Sequence, residues 1–301
     1  MYKVISRYNH QNYIKIEWNL GKRCNYDCSY CPAFIHDNTS PHTDIVTLKQ
    51  TVDKLVKLPK PVRLSFTGGE PTVHPEFDRL VDYCREQKIE FISVTTNATR
   101  KASYYLDLKV SQIVFSLHFE YDWERCLETI INVGASDIRE DQRKKILVHV
   151  MAIHNKMDEV KRAVNRLEFY EIPYAIRRVR WTENEDHDIF DDLKYDGKDL
   201  DWIKERTATV EPNVIIDDDK LYHANDVIKL HLNQYKGWSC NAGIESLMIN
   251  YDGDVHRATC RVGGSLGNIY DNTFIVPTEP IICTRNYCTC AADIPLTKEK
   301  R

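Results

Sequence analysis

Between residues 13 and 181, short apolar runs of strand length alternate with longer stripes of helical period, a pattern that predicts consecutive βα units and a parallel sheet. Strands are predicted over 13–20, 62–67, 91–96, 112–118, 146–152 and 174–180. Between them, residues 44–58 place Ile45, Leu48, Val52, Leu55 and Val56 on one helical face, and Pro75 opens a helix with Phe77, Leu80, Val81 and Cys84 inward. Similar stripes run through 123–133 and 157–169.

Side chains alternate across a strand, so each strand divides into two faces. One face is apolar: Ile14, Ile16, Trp18; Val62, Leu64, Phe66; Ile92, Val94; Ile113, Phe115, Leu117; Ile146, Val148, Val150. It is expected to pack against the helices. The other reads Lys15, Glu17, Asn19; Arg63, Ser65, Thr67; Ser93, Thr95, Asn97; Ser116, His118; His149, Met151; and, on the last strand, Tyr174, Arg178 and Arg180. A closed eight-stranded barrel fills its middle with branched apolar side chains. So many inward polar residues predict an incomplete barrel, a partial (β/α)6 α/β fold around a cavity for a polar ligand.

The 301 residues suffice for a sizeable core, and neither a signal segment nor a run long enough to cross a bilayer is present, so a cytoplasmic protein is expected. The net charge of −4 disfavours general nucleic-acid binding, although Arg177, Arg178 and Arg180 leave room for a local basic groove. Ten cysteines clustered toward the two ends, without an export signal, favour metal ligation in a reducing compartment over disulfides.

Cys24, Cys28 and Cys31 stand in R-C-N-Y-D-C-S-Y-C-P, just past the first predicted strand. Three thiolates this close can hold an iron-sulfur cube by three irons and leave the fourth open to a chelating ligand, whereas a four-thiolate site has its coordination satisfied. Zinc is the alternative. It wants a fourth ligand at its own spacing, and His36 is the only candidate nearby. One βα unit later comes Thr67-Gly68-Gly69-Glu70-Pro71, a turn whose glycines admit a close ligand and whose carboxylate can meet an ammonium group.

These two segments resemble the radical S-adenosylmethionine (radical SAM) superfamily, and the resemblance covers roughly residues 13 to 181. It implies a 4Fe-4S cluster on Cys24, Cys28 and Cys31, with S-adenosylmethionine at the open iron and the G-G-E-P motif of Gly68, Gly69, Glu70 and Pro71 at its amino group. It further implies Tyr30 beside the adenine and Thr95, Thr96 and Asn97 as a polar cofactor-binding patch. The activity implied is reductive cleavage of the cofactor to a 5'-deoxyadenosyl radical that takes hydrogen from an unactivated carbon, with oxygen sensitivity and an electron donor of the flavodoxin or ferredoxin type. Ser116 and His118 are cofactor-contact candidates that serve equally well as an internal hydrogen-bonded pair. His118, His149, Arg178 and Arg180 are the catalytic or substrate candidates.

From Trp238 onward the chain changes character, with Cys240 and Cys260 bracketing an Asp-Gly hairpin of 247–250 and 255–260, followed by Cys283, Cys288 and Cys290. This tail resembles the SPASM/twitch extension of some radical SAM enzymes, which implies a second, auxiliary 4Fe-4S cluster on Cys240, Cys260 and two of Cys283, Cys288 and Cys290, with structural zinc as the alternative. Three regions are therefore expected: a barrel core over 1–181, an acidic and helical segment over 182–236 with a helix at 224–235, and a small cluster-binding domain containing the β-hairpin over 237–301. The run E-N-E-D-H-D-I-F-D-D within the middle segment reads as a solvated loop or a lid. Cys84 and Cys126 lie on apolar helical faces and read as core packing.

The polar lining favours a small metabolite such as a sugar, aminosugar or nucleotide derivative, undergoing dehydrogenation or radical rearrangement. A first strand starting near residue 13 argues against a leader-binding domain and so against a peptide substrate; modification of a nucleic-acid base ranks lower still. A nonenzymatic iron-sulfur or zinc binding module is the competing class, and the G-G-E-P turn and the polar lumen argue against it.

Overall fold

The six strands expected from periodicity form in order and pair in parallel in the structure, a computed structural model that describes residues 3–6, 12–31, 35–136, 145–179, 194–217 and 220–300. A short β1 (Lys3–Ser6) precedes β2 (Ile14–Asn19), α1 (Ile45–Leu55), β3 (Val62–Thr67), α2 (Phe77–Glu86), β4 (Phe91–Thr96), α3 (Ala102–Asp107), β5 (Gln112–Leu117), α4 (Trp123–Gly134), β6 (Lys145–Ala152), α5 (Met157–Phe169) and β7 (Tyr174–Arg178). The run β2-β3-β4-β5-β6-β7 curves as a partial barrel of α/β type with no closure between β2 and β7 among the described residues.

In-register pairs such as Ile16↔Leu64 and Trp18↔Phe66 put the apolar strand faces on one side, where they merge with Leu48, Val52, Phe77, Leu80, Leu127 and Val160 of the helices into one buried core. Burying each such side chain stabilises the fold by roughly 1.5–3 kcal/mol. α1 starts at Asp44, whose carboxylate accepts from the backbone N–H of Val46 and Thr47, both at 3.0 Å. On the inner face polar groups satisfy one another: Ser65 and Ser93 share a hydroxyl hydrogen bond of 2.7 Å, and Lys15 pairs with Glu17 at 2.9 Å.

The C-terminal third contributes α6 (Gly197–Glu205), β8 (Val214–Ile216), β9 (Lys220–Tyr222), α7 (Ala224–Lys229), β10 (Ser239–Cys240), β11 (Ser246–Ile249), β12 (Asp254–His256), β13 (Ser265–Asn268), β14 (Ile281–Ile282) and β15 (Lys298–Glu299). The expected hairpin is β11–β12, with Met248 opposite His256, and its second strand stops at His256, short of Cys260. β11 pairs in parallel with β2, Ser246 against Lys15, which extends the barrel sheet to the order β13-β12-β11-β2-β3-β4-β5-β6-β7. A second sheet, β14-β10-β15-β1-β8-β9, has the amino-terminal β1 between β15 and β8. Hydrogen bonds therefore cross the chain at both 181 and 237.

Two local expectations are corrected. The helix expected over 224–235 ends at Lys229, because His231 takes a positive φ of 58° while Leu232 donates to the Val227 carbonyl at 2.9 Å. On β7 Tyr174 does not reach the lumen and Arg177 does: the register sets Arg177 beside Met151 and Tyr174 beside Val148, and the Tyr174 hydroxyl donates to Glu168 of α5 at 2.6 Å, while Arg178 lines the cavity as expected. Arg178 pairs with Ala152 and reaches His231 past α7, at 3.5 Å. Arg180 and the acidic run of 183–192 lie outside the described residues. Among the described residues no helix is long and apolar enough to cross a membrane.

Candidate active site

Chain leaving β2 enters the cysteine segment by crossing the end of β3, and the crossing explains the two glycines. Leu20 donates to the Thr67 carbonyl at 2.9 Å, Gly69 to the Gly21 carbonyl at 2.8 Å and Glu70 to the Arg23 carbonyl at 2.9 Å. A methyl on Gly69 would overlap the carbonyl oxygens of Lys22 and Arg23, and Gly68, at φ 128°, has the Asn19 side chain and the Gly21 carbonyl against it. The glycine pair is thus what lets the two loops touch.

Beyond this crossing the described residues of the segment form no helix or strand, and side chains from the loops after β4 and β5 fasten it. Asn25 accepts from the Asn97 amide at 2.8 Å and donates to the Thr99 hydroxyl at 2.9 Å. Tyr26 stacks on Tyr121 with ring centroids 3.9 Å apart, and its hydroxyl lies 3.3 Å from the Cys126 thiol. Glu120 accepts from the Ser29 backbone N–H at 2.8 Å and from its hydroxyl at 2.5 Å. Cys31 donates its N–H to the Cys28 carbonyl at 2.9 Å, while the Tyr26 N–H points at the Cys24 sulfur at 3.4 Å. Cys126, with Cys84 expected only as core, thus also supports this loop.

Cys24, Cys28 and Cys31 all line one cavity of about 260 Å³, near the lower end of small-molecule pockets. Tyr30, Gly68, Gly69, Glu70, Thr95, Thr96, Asn97, Ser116 and His118 line it too, whereas Pro71 begins a short 3-10 turn beside it. Glu70 is fixed by donors: Oε1 accepts from the Thr72 N–H at 3.0 Å, its hydroxyl at 2.6 Å and the Thr96 hydroxyl at 2.8 Å, and Oε2 from the Asn97 N–H at 2.6 Å. Burial raises its carboxyl above the ordinary value although these donors pull it down. His118 lies parallel to the Tyr30 ring, with Nδ1 2.6 Å from the Tyr30 hydroxyl and 3.6 Å from the Cys28 sulfur; burial lowers its pKa to about 4, so it is neutral near pH 7.

Burial, reinforced by the neighbouring thiols, pushes Cys28 up to about 12 and Cys31 up to about 11. A site of this kind resists holding bare thiolates and favours a cation that takes the protons' place. The donor set fits an iron-sulfur cube: three thiols on one polar cavity, a backbone N–H aimed at one sulfur, and no further cysteine on its wall. Among the described residues no three His, Cys, Asp or Glu side chains converge on a single-ion site. Ligands of a cube stand on different irons and need not so converge.

Two further residues on the wall were not picked out for this cavity by sequence. His36 bonds Asp27 at 3.1 Å through Nε2, while its buried Nδ1 has no partner among the described residues. Arg177, hidden by the ambiguous parity of I-R-R-V-R, enters beside Met151. His149 sits next to Arg177, Nδ1 to Nη1 3.4 Å, without lining the main cavity; Arg178 does line it.

In the C-terminal third, Cys240, Cys260, Cys283 and Cys288 line a separate cavity of about 20 Å³ with Ala242, Ala258, Val262, Ile281 and Leu296, while Cys290 is not part of its wall. The Lys298 ammonium at its edge donates to the carbonyls of Asp293, Ile294 and Leu296 at 2.7, 3.0 and 3.1 Å. Burial acts to lower its pKa, but Cys288 and Cys240 among its neighbours leave it raised, so it is a fixed positive charge beside the thiols.

The radical SAM superfamily model matches residues 18–167, the barrel from β2 through α5. Fe-coproporphyrin III synthase of Methanosarcina barkeri is 26% identical over 86% of this chain and 72% of its own length. GTP 3',8-cyclase of Desulforamulus reducens is 30% identical over 38% of this chain and 37% of its own. The chain spans about a third of the length of several curated relatives it matches, 28% in one and 30% in another. Among solved structures, native anSMEcpe with bound AdoMet superposes with a TM-score of 0.59 at 14% identity, over 87% of this chain and 79% of that one. With the three-cysteine loop, the G-G-E-P crossing and the partial barrel joined around one cavity, the chain belongs to the radical SAM superfamily of enzymes.

Proposed function

We propose that this protein uses S-adenosylmethionine, held on a 4Fe-4S cluster by Cys24, Cys28 and Cys31, to oxidise a small polar metabolite, with a second 4Fe-4S cluster receiving the substrate's electron. The observation that carries the reading is the convergence of three thiols, the fixed Glu70 carboxylate and the polar ends of β4 and β5 on one cavity. When bound, the cofactor and reduced cluster supply a 5'-deoxyadenosyl radical that removes a hydrogen atom from the substrate.

The chain's own residues bind, orient and shield. Glu70 is held by Thr72, Thr96 and Asn97 with acceptor capacity left on Oε2, which suits the cofactor's ammonium group. Tyr30 and neutral His118 form a flat wall next to Cys28, suited to adenine, and offer no acidic proton to the cluster. Dehydrogenation is preferred over rearrangement because four thiols, Cys240, Cys260, Cys283 and Cys288, share the second cavity. Four thiolates leave no open iron for substrate and suit electron transfer. Lys298 offsets the negative charge such a cluster carries. A flavodoxin or ferredoxin-type donor is the partner this chemistry requires.

Metal content and cofactor turnover, measured on protein reconstituted without oxygen, test the reading. Wild type should hold about eight irons and form 5'-deoxyadenosine on reduction, and Cys24→Ala/Cys28→Ala/Cys31→Ala should hold about four and form none. Zinc with no cofactor cleavage would return the chain to a nonenzymatic binding module.

A further inference from the structure

Across the barrel from Glu70, the cavity wall carries a guanidinium that no described carboxylate meets. Arg177 enters from β7 beside Met151, and its hydrogen-bond partner among the described residues is the ring of His149 at 3.4 Å. That imidazole is held neutral, its pKa lowered first by burial and then by Arg177 and His223. Burial likewise lowers the Arg177 guanidinium, with the Cys290 thiol as the other group acting on it. Glu70 is the single carboxylate among the described residues that line the cavity, and it is held by Thr72, Thr96 and Asn97 beyond the ends of β3 and β4, away from β7. The inward ion pair of β2, Lys15–Glu17, is closed on itself at 2.9 Å.

A second observation points the same way. Arg177 also lines a crevice of about 30 Å³ behind the cavity, together with Asn225 of α7 and Thr289. The Asn225 carboxamide nitrogen is buried and has no hydrogen-bond partner among the described residues. Lys229, on the same crevice, is already paired with Asp226 at 3.0 Å. With Lys229 and Arg178 engaged elsewhere, the crevice presents the Asn225 amide and the Arg177 guanidinium as its donors. A buried charge left unpaired is costly, and a guanidinium recovers that cost best from a planar or tetrahedral oxyanion accepting two N–H bonds.

We propose that the substrate carries an anionic group, a phosphate or a carboxylate, which docks on Arg177 at the β7 side of the cavity, with the Asn225 amide as a supporting donor. The proposal rests on the reading above that the cavity is the active site, and it narrows the polar metabolite to an anionic one. With the cofactor held at the cysteines and Glu70, an anion on Arg177 would set the substrate's reactive carbon between the two ends of the cavity.

Inorganic phosphate and acetate are the probes, titrated by calorimetry into anaerobically reconstituted wild type, Arg177→Gln and Asn225→Ala, with S-adenosylmethionine titrated in parallel. Saturable binding of one or both anions by wild type is expected, weakened at least tenfold in Arg177→Gln and severalfold in Asn225→Ala, with S-adenosylmethionine affinity held within about twofold in all three. Preference for phosphate identifies a phosphorylated substrate, and preference for acetate a carboxylate. Arg177→Gln should also melt at or above the wild-type temperature, since it removes an unpaired buried charge; a clear fall would mark the arginine as structural and overturn the proposal. No saturable anion binding, or equal binding in Arg177→Gln, overturns it as well. So does a tenfold loss of S-adenosylmethionine affinity in Arg177→Gln, which would give the arginine to the cofactor's carboxylate. Failure of wild type to form 5'-deoxyadenosine sinks the enzyme reading instead and is scored separately from anion binding.

Discussion

The two cysteine regions differ less in their thiols than in what surrounds them. In both, burial drives the thiol pKa values up, Cys28 and Cys260 alike to about 12. The barrel loop is tied down by side chains from the loops that follow β4 and β5, Asn97, Thr99, Glu120 and Tyr121, and it faces a cavity of about 260 Å³ with Glu70, Thr95, Thr96, Asn97 and Ser116 on its wall. The C-terminal group is held by backbone: Cys283 donates to the Trp238 carbonyl at 2.9 Å, Cys288 to the Asn233 carbonyl at 2.8 Å, and Cys240 lies within β10. Its cavity is small and lined mainly by apolar side chains, with Lys298, Arg285 and Asp293 as the ionisable groups besides the thiols. A thiol cluster that opens on a polar cavity can bind and activate a ligand; one enclosed by alanine, valine and leucine is suited to exchanging electrons.

The sharpest way to break this contrast is to remove the thiols of one region at a time. Cys240→Ala/Cys283→Ala should lose about four irons while still forming 5'-deoxyadenosine, the reverse of the barrel triple mutant. Loss of cofactor cleavage in both would show the regions to be interdependent and would end the division of labour drawn here.

A pH series provides a control outside both regions. His223 caps α7, accepting from the Asn225 N–H at 3.4 Å, and burial lowers its pKa from 6.5 to about 4 despite Asp226. The folded pKa lies below the unfolded one, so this contribution is present above pH 6.5 and is lost as the pH falls toward 4. The difference corresponds to about 3 kcal/mol. Urea unfolding of His223→Asn, which keeps a capping acceptor, should show a shallower decline between those pH values; an unchanged decline would assign the acid sensitivity to His118 and His149, which burial shifts in the same direction.

The glycine crossing offers a smaller but more local effect. Gly69→Ala meets the carbonyls of Lys22 and Arg23, backbone that cannot rotate away, so a cost of about 1–3 kcal/mol is expected, with iron lost from the barrel site alone. Iron at the C-terminal cysteines should be unaffected. A parallel loss there would mean that the β2–β11 pairing transmits the distortion.

How far sequence carried the reading follows from the kind of interaction involved. Strands β2 to β6 were legible within a residue or so, because each has one face in a continuous apolar core and the other in a polar lumen. On β7 the adjacent Arg177 and Arg178 give no contrast between faces; Arg178 lines the cavity as expected, Tyr174 does not, and only the pairing with Met151 shows that Arg177 enters as well. The sheet that joins β1, β8 and β15 was invisible, its strands being three or four residues or fewer and their partners some 200 or more positions apart. The early end of α7 was equally hidden: the chain turns at His231 without the glycine or asparagine that normally marks a left-handed residue. At the site, the three-cysteine spacing and the G-G-E-P turn were readable because their residue types are scarce and ordered. The fastening of the loop by Asn25, Tyr26, Glu120 and Tyr121 was not, since each is an ordinary polar or aromatic residue whose role arises from contacts 70 to 100 positions away.

Glu120 provides the mildest test of whether side chains hold the barrel loop. Its two oxygens accept from the N–H and hydroxyl of Ser29, between Cys28 and Tyr30, so the carboxylate fixes the turn that carries the middle thiol. Glu120→Gln keeps the length and one acceptor oxygen but loses the charge and the second bond, a cost of about 1 kcal/mol, or roughly fivefold in an equilibrium. Released to a chelator under anaerobic conditions, the irons should leave in two phases, and the substitution should quicken only the phase that Cys24→Ala/Cys28→Ala/Cys31→Ala abolishes. If both phases quicken together, the two regions share one restraint through the β2–β11 edge; if neither does, the loop is held by the Tyr26–Tyr121 stack and the glycine crossing, and the carboxylate only trims it.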